Sequence, residues 1–296
     1  MGGAIGARLC SAGLNVVVYD RNDWKVAALV ELGATAAVSA ADVARQCGKV
    51  ILSLNGPQIV RSAVFGEMGL AEAASPGLLI IDMSSIDPRA TASLAADAAA
   101  HGLRWVDSPL SGGVPKARTG QLTLMAGGSD ADVTEAYEAV LRHLCANFTH
   151  MGPSGAGQTT KLINQVLCGL NFMAVAEATQ FAKDAGVDVA KLPNALRGGR
   201  ADSVVLQDYM HRFHVKDYEK TGRIDNMVKD LSGVQDLARL TNTSMPLTSL
   251  CLEIHRMLTA AGLGGEDEAA LMEFFRGPDK SRFGQANSTA QNKQRN

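Results

Sequence analysis

The sequence MGGAIGARLCSAGLNVVVYDR, residues 1–21, contains the elements that decide the fold. Residues 4–13 have the composition of a helix, residues 15–19 form an apolar run typical of a strand, and Asp20 directly follows that strand. In a dinucleotide-binding unit, a small-residue turn, a helix, a strand and an acidic residue follow the phosphate loop in this order. Ordinary helix–strand starts have the same order, so the stretch alone leaves both interpretations open.

Short apolar runs alternate with Ala-rich helical stretches through the first half of the chain. Several of these runs lack polar–apolar alternation, which is typical of strands buried on both faces of a sheet. The runs lie at 15–19, 49–54, 78–83, 103–109, 122–128 and 147–152. The helical stretches between them include 24–32, 57–65 and 88–101. This alternation predicts an α/β fold with a mainly parallel, doubly wound sheet of Rossmann type.

The second half of the chain, after Gly152, consists of helix formers without a convincing strand. Residues 156–185 predict one helix of roughly 45 Å, which Gly186 ends. Its apolar positions exceed one stripe, which indicates burial on more than one side, as in a helix that joins two domains or lies in a dimer interface. Further helices are predicted at 188–197, 203–212, 226–241, 246–262 and 266–275.

A chain of 296 residues is long enough for two domains. We expect a Rossmann-type domain at 1–152, followed by an all-helical domain at 153–276. The segment 277–296 is polar, and we expect it to be a frayed tail.

Composition and charge exclude several classes of partner. The formal net charge is −2 and Lys/Arg runs are absent, which argues against nucleic acid or an anionic membrane as a partner. Uninterrupted apolar runs, such as the one at 78–81, are far short of a membrane span. The five cysteines form no CxxC motif and the six histidines do not cluster. We therefore expect no metal site, and reduced thiols in a cytoplasmic protein.

The first candidate site is the opening stretch itself. A complete G-x-G-x-x-G fingerprint follows a strand, and its last glycine lets the helix pack close to the sheet. Gly2 fits that last glycine, and Asp20 lies where a carboxylate accepts hydrogen bonds from an adenosine ribose. The first strand and the first two glycines would precede Met1. We therefore expect the native reading frame to begin upstream, with roughly ten residues that form the strand and the G-x-G.

The second candidate site is DMSSIDP, residues 82–88, at the end of an apolar strand. Ser84 and Ser85 lie at the carboxyl end of this strand, where open α/β sheets bind ligands. Alternatively, one of these serines or Asp87 caps a helix that begins near Pro88. Both interpretations can hold together.

The third candidate site is DSPLSGGVPKARTG, residues 107–120, which also follows a strand. Ser111, Gly112 and Gly113 offer a hydroxyl group and consecutive backbone N–H groups unshielded by Cβ atoms. Such a nest can bind a carboxylate or an alkoxide, and the alternative is an ordinary glycine turn.

The fourth candidate site is GPSGAGQTTKLINQ, residues 152–165. If a helix begins near Gly155, then Lys161, Asn164 and Gln165 lie on one face of it. A lysine in the second turn of an apolar helix can be buried beside polar partners and serve in acid/base chemistry, or it can extend its ammonium to the surface. Further along the chain, Lys229 and its neighbour Asp230 head an amphipathic helix and alone indicate a solvated pair.

In this order the segments resemble the β-hydroxyacid dehydrogenase family. The matching stretches are YDR, IDMSS, DSPLSGG, VPKA, TGQL, GPSGAGQTTKLINQ, LRGGRADS and VKDL. The resemblance runs from residue 1 to about residue 276, with the amino terminus truncated, and it is most similar to the tartronate semialdehyde reductases (2-hydroxy-3-oxopropionate reductases). It implies a hydride transfer between NAD(H) and a short 3-hydroxy acid or its semialdehyde.

The resemblance also implies a role for each candidate residue. Lys161 would be the proton donor and acceptor, while Ser111, Gly112 and Gly113 would bind the substrate carboxylate. Many family members have Asn where this chain has Gln165, so the amide contact with the substrate comes from Gln165 or from Asn164. The cofactor would contact Gly2, Asp20, Arg21, Ser85 and Lys229. The family further implies a homo-oligomer, a dimer or a tetramer, with the long helix central to dimerisation.

Three questions stay open: the choice of cofactor, the substrate, and whether the protein is catalytic. Asp20 favours NAD over NADP because a carboxylate repels the 2′-phosphate, but Arg21 next to it could offset this preference. The substrate could instead be 3-hydroxyisobutyrate or threonate. A different class of function is a non-catalytic binding protein on a degenerate dehydrogenase scaffold, against which the intact Lys161 and Ser111 motifs argue.

Overall fold

The computed structural model of the chain describes residues 1–275, and the predicted polar tail at 277–296 lies outside the described residues. The chain forms two compact units, Met1–Asn164 and a second that begins at Gln165. The predicted domain boundary at 152/153 is twelve residues earlier than this division. The difference arises because the first turns of the long helix are hydrogen-bonded to the α/β unit, as described below.

Eight strands, all in the first unit, are present in the described part of the chain, and each predicted apolar run overlaps one of them. They are β1 (Val17–Val18), β2 (Thr35–Ala36), β3 (Lys49–Leu52), β4 (Leu79–Asp82), β5 (Arg104–Asp107), β6 (Leu110–Ser111), β7 (Leu122–Gly127) and β8 (Cys145–Gly152). Strands β3, β4 and β5 pair in parallel, β7 pairs antiparallel with β5 and β6, and β8 pairs parallel with β7. Strands β1 and β2 form a separate parallel pair. The mainly parallel α/β sheet is therefore confirmed for β3 to β8, and the β1–β2 pair forms a sheet of its own.

Strand β4 shows why the apolar runs do not alternate. Consecutive residues of a strand point to opposite faces of the sheet. Leu79 and Ile81 pack in one core with Val106 and Leu124, whereas Ile80 packs in a second core on the other face. Both faces are covered by helices, and full burial of one such side chain contributes about 1.5–3 kcal/mol.

Eight helices connect these strands. They are α1 (Gly2–Ser11), α2 (Asp23–Val30), α3 (Ala40–Gln46), α4 (Pro57–Phe65), α5 (Leu70–Ala73), α6 (Pro88–Ala100), α7 (Gly113–Thr119) and α8 (Asp130–Ala139). Proline at the first position begins both α4 and α6, since its missing N–H would have no partner there. Helix α1 packs closely on α2 at Gly6, where an added Cβ would lie 2.9 Å from a methyl carbon of Leu29.

The helices that follow are α9 (Ala156–Asp184), α10 (Leu192–Leu196), α11 (Val204–Val215), α12 (Ile224–Thr241), α13 (Pro246–Leu258) and α14 (Met272–Phe275). Between Gly152 and residue 275, an isolated bridge between Arg223 and Asp267 is the only β pairing in the described chain. The second unit has its own core, in which Met210, Phe213 and Ile224 are fully buried or nearly so. The predicted α-helical second half is therefore confirmed.

Helix α9 is the long helix that the sequence predicts, and it ends one residue earlier than expected. By length and composition alone it could cross a membrane, but a core or interface helix passes the same test, so this is weak evidence. Its exposed apolar residues include Ile163, Leu167 and Phe181, whereas Val175 and Ala176 are buried. The helix therefore has both an internal face and an uncovered apolar surface.

Candidate functional site

Strands β4 and β5 end side by side in two carboxylates, Asp82 and Asp107, which are partners in the parallel register. Both residues are completely buried. The segments that follow these strands contain the predicted serines and the Ser111–Gly113 turn. The predicted serines and the Ser111–Gly113 turn therefore both follow the carboxyl ends of neighbouring strands.

Asp107 binds the amino-terminal end of α9. Its Oδ1 accepts a hydrogen bond from the backbone N–H of Gly155 at 2.7 Å, and its Oδ2 accepts one from Gln158 at 3.0 Å. An added Cβ at Gly127 or Gly157 would lie 2.6 or 2.7 Å from the oxygens of this carboxylate, so both glycines make room for it. Burial raises the pKa of Asp107 to about 6, although the backbone N–H groups that bind the carboxylate oppose this shift.

Asp82 has a different environment from its neighbour. Its Oδ1 accepts the backbone N–H of Ser84 at 3.0 Å, and its Oδ2 has no hydrogen-bond partner in the described structure. Burial raises the pKa of Asp82 to about 7, the hydrogen bonds from Ser84 oppose this shift, and the negative charge of Asp107 adds to it. Asp82 therefore retains its proton in a large fraction of molecules near neutral pH.

The serine loop, residues 84–86, is held from two sides. The backbone N–H of Leu54, after β3, donates to Ser84 Oγ at 3.0 Å. From α9, the side chain of Gln158 donates to the Ser84 carbonyl at 2.7 Å and accepts the Ile86 N–H at 3.3 Å. The N-cap residue of α6 is Asp87, and its carboxylate accepts hydrogen bonds from the backbone N–H groups of Arg89 and Ala90. The capping interpretation is therefore confirmed for Asp87.

The Ser111–Gly113 turn joins β6 to α7. Gly112 and Gly113 both have positive φ angles, 126° and 70°, which side chains other than glycine rarely adopt. An added Cβ at Gly112 would also lie 2.8 Å from Cδ of Lys116. The turn therefore requires glycine, and Ser111 at its start is half-buried.

The candidate residues of α9 and α12 fall into two groups. Lys161 and Asn164 belong to the first unit, and both are half-buried in the second and third turns of α9. In the second unit, Gln165 donates from Nε2 to Asp230 Oδ2 at 2.7 Å, and Lys229 forms an ion pair with the same carboxylate at 3.3 Å. The side chain of Asp230 is only 13% exposed, so this residue is not part of a solvated pair.

At the amino-terminal end, α1 begins at Gly2 beside the carboxyl end of β3. An added Cβ at Gly2 would lie 3.6 Å from Cβ of Ser53, an ordinary contact distance, so protein packing alone does not require glycine there. Asp20, after β1, accepts two hydrogen bonds from Asn22 and lies 3.5 Å from the Lys25 ammonium. Burial disfavours its charged form, but these groups outweigh burial and hold the pKa of Asp20 below its usual value.

These groups fit a dinucleotide. A helix that begins with a glycine at the carboxyl edge of a parallel sheet offers N–H groups to phosphates, and an ionised carboxylate after the next strand suits a ribose. Arg21 is exposed beside that carboxylate. Within residues 1–275, no group of three His, Cys, Asp or Glu side chains could hold a metal ion.

Three residues of this arrangement were not singled out from the sequence as site residues: Asp107, Gln158 and Asp230. Each acts through a contact with a residue at least 48 positions away. The local signal is that these residues lie inside three of the stretches that carry the resemblance, which are DSPLSGG, GPSGAGQTTKLINQ and VKDL. The sequence alone therefore identifies the motifs, but it does not show which of their polar residues make these long-range contacts.

Comparison with known proteins identifies the family. A family model described as the NAD binding domain of 6-phosphogluconate dehydrogenase matches residues 1–152. A second, described as NAD-binding of NADP-dependent 3-hydroxyisobutyrate dehydrogenase, matches residues 155–275. Together the two models span nearly all of the chain that the structure describes.

Individual relatives agree with these matches. The chain is 34% identical to 2-hydroxy-3-oxopropionate reductase of Escherichia coli, a match that covers 83% of this chain and 84% of that protein. It is 30% identical to L-threonate dehydrogenase of Cupriavidus necator, with 94% and 93% covered. A crystal structure of 3-hydroxyisobutyrate dehydrogenase from Salmonella typhimurium superposes with a TM-score of 0.82 at 31% identity, with 92% and 95% covered. The chain therefore belongs to the β-hydroxyacid dehydrogenase family and is an NAD(P)-dependent hydroxyacid dehydrogenase.

Proposed function

We propose that this enzyme transfers a hydride between NAD(H) and a short 3-hydroxy acid or its semialdehyde, with Lys161 as the proton donor and acceptor. The observation that carries the proposal is the attachment of α9 to the carboxyl edge of the sheet. Asp107 binds the backbone at Gly155 and Gln158, and the Gln158 side chain binds the serine loop. The helix that carries Lys161 is thus joined to the loop that carries the proposed cofactor contact Ser85.

The residue chemistry supports this reaction. The nicotinamide, when bound, supplies the hydride chemistry. During reduction, the Lys161 ammonium donates a proton to the substrate carbonyl oxygen and stabilises the negative charge that develops there. In the oxidative direction, the neutral amine accepts the hydroxyl proton. Ser111, Gly112 and Gly113 bind the substrate carboxylate, and Asn164 or Gln165 orients the substrate beside the lysine.

The substrate that we favour is 2-hydroxy-3-oxopropionate, also called tartronate semialdehyde. This choice is supported by the IDMSS and KLINQ segments and by the 34% identical reductase of that substrate. L-Threonate and 3-hydroxyisobutyrate are the alternatives, because relatives of similar identity act on them by name. The test is to follow nicotinamide absorbance with each compound and with glycerate. A kcat/KM at least about tenfold above the others identifies the substrate.

The same screen addresses the alternative of a non-catalytic binding protein. That alternative predicts cofactor binding, measured by protein fluorescence, without turnover of any hydroxy acid. The half-buried Lys161 and the glycine-dependent turn at Ser111 argue against it. Turnover with any of the tested acids would reject the binding protein.

Three further properties are proposed: the preferred cofactor, the oligomeric state and the location in the cell. We propose that the enzyme prefers NAD, because the ionised carboxylate of Asp20 repels the 2′-phosphate of NADP. The positive charges of Arg21 and Lys25 attract that phosphate and reduce the preference. We propose a homo-oligomer, supported by the exposed apolar residues Ile163 and Phe181 on α9, and light scattering will measure its mass. A cytoplasmic location is proposed from the spacing of the cysteines, and fractionation of cells that produce the protein tests it.

A further inference from the structure

We propose that Gln158 is a positioning residue that fixes the cofactor contact Ser85 relative to the proton donor Lys161. The inference rests on the proposed function, because it assumes the roles given to those two residues. Gln158 itself does not contact the reacting atoms in this proposal. What the side chain contributes is a rigid connection between two parts of the site.

The first half of this connection is a pair of hydrogen bonds around Ser85. Gln158 Nε2 donates to the carbonyl of Ser84 at 2.7 Å, and Gln158 Oε1 accepts the N–H of Ile86 at 3.3 Å. Ser84 and Ile86 are the two sequence neighbours of Ser85, so one amide group holds the backbone on both sides of it. The carbonyl needs a donor and the N–H needs an acceptor, which fixes the orientation of the amide.

The second half of the connection is the helix itself. The backbone N–H of Gln158 donates to the buried carboxylate of Asp107 at 3.0 Å, so the residue that grips the serine loop is also fixed to β5. Lys161 follows three residues later, about 4.5 Å along the helix axis and on nearly the same face. The path from Ser85 to Lys161 therefore passes through one buried side chain and one helical turn, without a flexible loop.

This connection matters because hydride transfer and proton transfer act on the two ends of the same carbonyl group. A displacement of about 1 Å between reacting groups can lower the rate roughly 10²-fold. Gln158 is 1% exposed, and its side chain has no water-facing surface that would otherwise explain a polar group there. A buried amide that satisfies two loop groups both stabilises the loop and defines its position.

The test uses two substitutions and one matched control. Gln158→Met keeps the length of the side chain and removes both hydrogen bonds. In Gln158→Glu, the protonated carboxylic acid still has one donor and one acceptor. The ionised carboxylate has no donor, and it repels the carbonyl oxygen of Ser84. Thr159→Val is the control, because the Thr159 hydroxyl donates to the carbonyl of Gly155, just before the first residue of α9, at 2.9 Å. Residue 159 is turned about 160° away from Lys161 around the helix.

We expect Gln158→Met to lower kcat about 10²-fold, with less than about threefold change in KM for the hydroxy acid. The primary deuterium isotope effect on kcat should rise, because hydride transfer becomes slower than product release. In the cofactor-free protein, amide hydrogen exchange at Ile86 should accelerate at least about tenfold. Thr159→Val should leave all of these values within about twofold of the wild type.

Gln158→Glu keeps the proposal testable if Gln158→Met does not fold. Its kcat should fall with rising pH through an ionisation that the wild-type profile lacks, because only the protonated carboxyl can donate to Ser84. A folded Gln158→Met with unchanged kcat, or a Gln158→Glu profile identical to that of the wild type, overturns the inference alone. A wild-type protein that turns over no hydroxy acid instead overturns the proposed function, and this inference with it.

Discussion

The backbone N–H of Gly155 donates a hydrogen bond to Oδ1 of Asp107 at 2.7 Å, which joins the start of α9 to the end of β5. These residues are 48 positions apart in the sequence. The first N–H groups of a helix lack partners within the helix, and a buried carboxylate satisfies them while its charge is favourable at the positive end of the helix dipole. The position of Lys161 on this helix is thus set by the sheet.

Substitution Asp107→Ala should lower the free energy of unfolding by about 2–4 kcal/mol. Both acceptor oxygens are lost, so the buried backbone N–H groups of Gly155 and Gln158 are left without the partners that they have in the wild type. Urea unfolding, followed by circular dichroism, measures the change. Activity should fall as well, because α9 loses a fixed starting point.

The matched control for this prediction is Asp87→Ala. Asp87 also caps a helix, α6, but its side chain is partly exposed, so water can reach the N–H groups that it releases. Its unfolding free energy should fall by only about 1 kcal/mol. Equal losses for the two variants would show that burial and the link to β5 give Asp107 no special role.

The second prediction concerns the pH dependence of stability at Asp82, whose pKa rises from 3.8 to about 7 in the folded protein. The folded state binds this proton more tightly than the unfolded state does. The resulting stabilisation is therefore complete below about pH 4 and is lost as the pH rises through 7, a change of about 4 kcal/mol. Asp82→Asn is neutral at every pH and mimics the protonated acid.

Accordingly, Asp82→Asn should be more stable than the wild type near pH 8 and similar to it near pH 4. The measurement is the difference in unfolding free energy between the two proteins across this range. Titrating groups that do not interact with Asp82 affect both proteins alike and cancel in the difference, whereas the neighbouring Asp107 is coupled to Asp82 and contributes to it. A difference that stays constant with pH would mean that Asp82 is ionised throughout.

The third prediction concerns the choice between NAD and NADP. Asp20→Asn removes the charge that repels a 2′-phosphate and leaves Arg21 and Lys25 to attract it. The ratio of kcat/KM for NAD to that for NADP should fall by about tenfold or more. Asp23→Asn, three residues further along and exposed, is the control and should leave the ratio unchanged. A similar fall in both variants would assign the preference to net charge instead of to Asp20.

The local elements were predictable because their signals are local. Helix α4 occupies the predicted residues 57–65, since Gly56 and Pro57 mark its start. Helices α3, α5, α7 and α8 are not among the stretches named from the sequence. Helix α7 lies within a motif interpreted as a turn, and α8 has few apolar positions. The predicted helix at 246–262 ends as an α-helix at Leu258, and a π-helical turn with Gly262 at positive φ follows.

The candidate site was predictable only in part. Residue type and position after a strand indicated Ser85, Ser111 and Lys161. The anchoring groups Asp107 and Gln158 could not be recognised in this way, because their hydrogen bonds join segments that are far apart in the sequence. A polar residue next to a catalytic motif has the same local pattern whether it is solvated or buried.

The central claim is that Lys161 moves the proton at the substrate oxygen, and Lys161→Met tests it most directly. Its cofactor affinity should stay within about threefold, whereas kcat should fall about 10²- to 10⁴-fold, measured on the substrate that the screen identifies. Lys183→Met is the control, because Lys183 lies on the same helix but its ammonium donates to the His214 carbonyl. A kcat for Lys161→Met above about a tenth of the wild-type value would contradict the account.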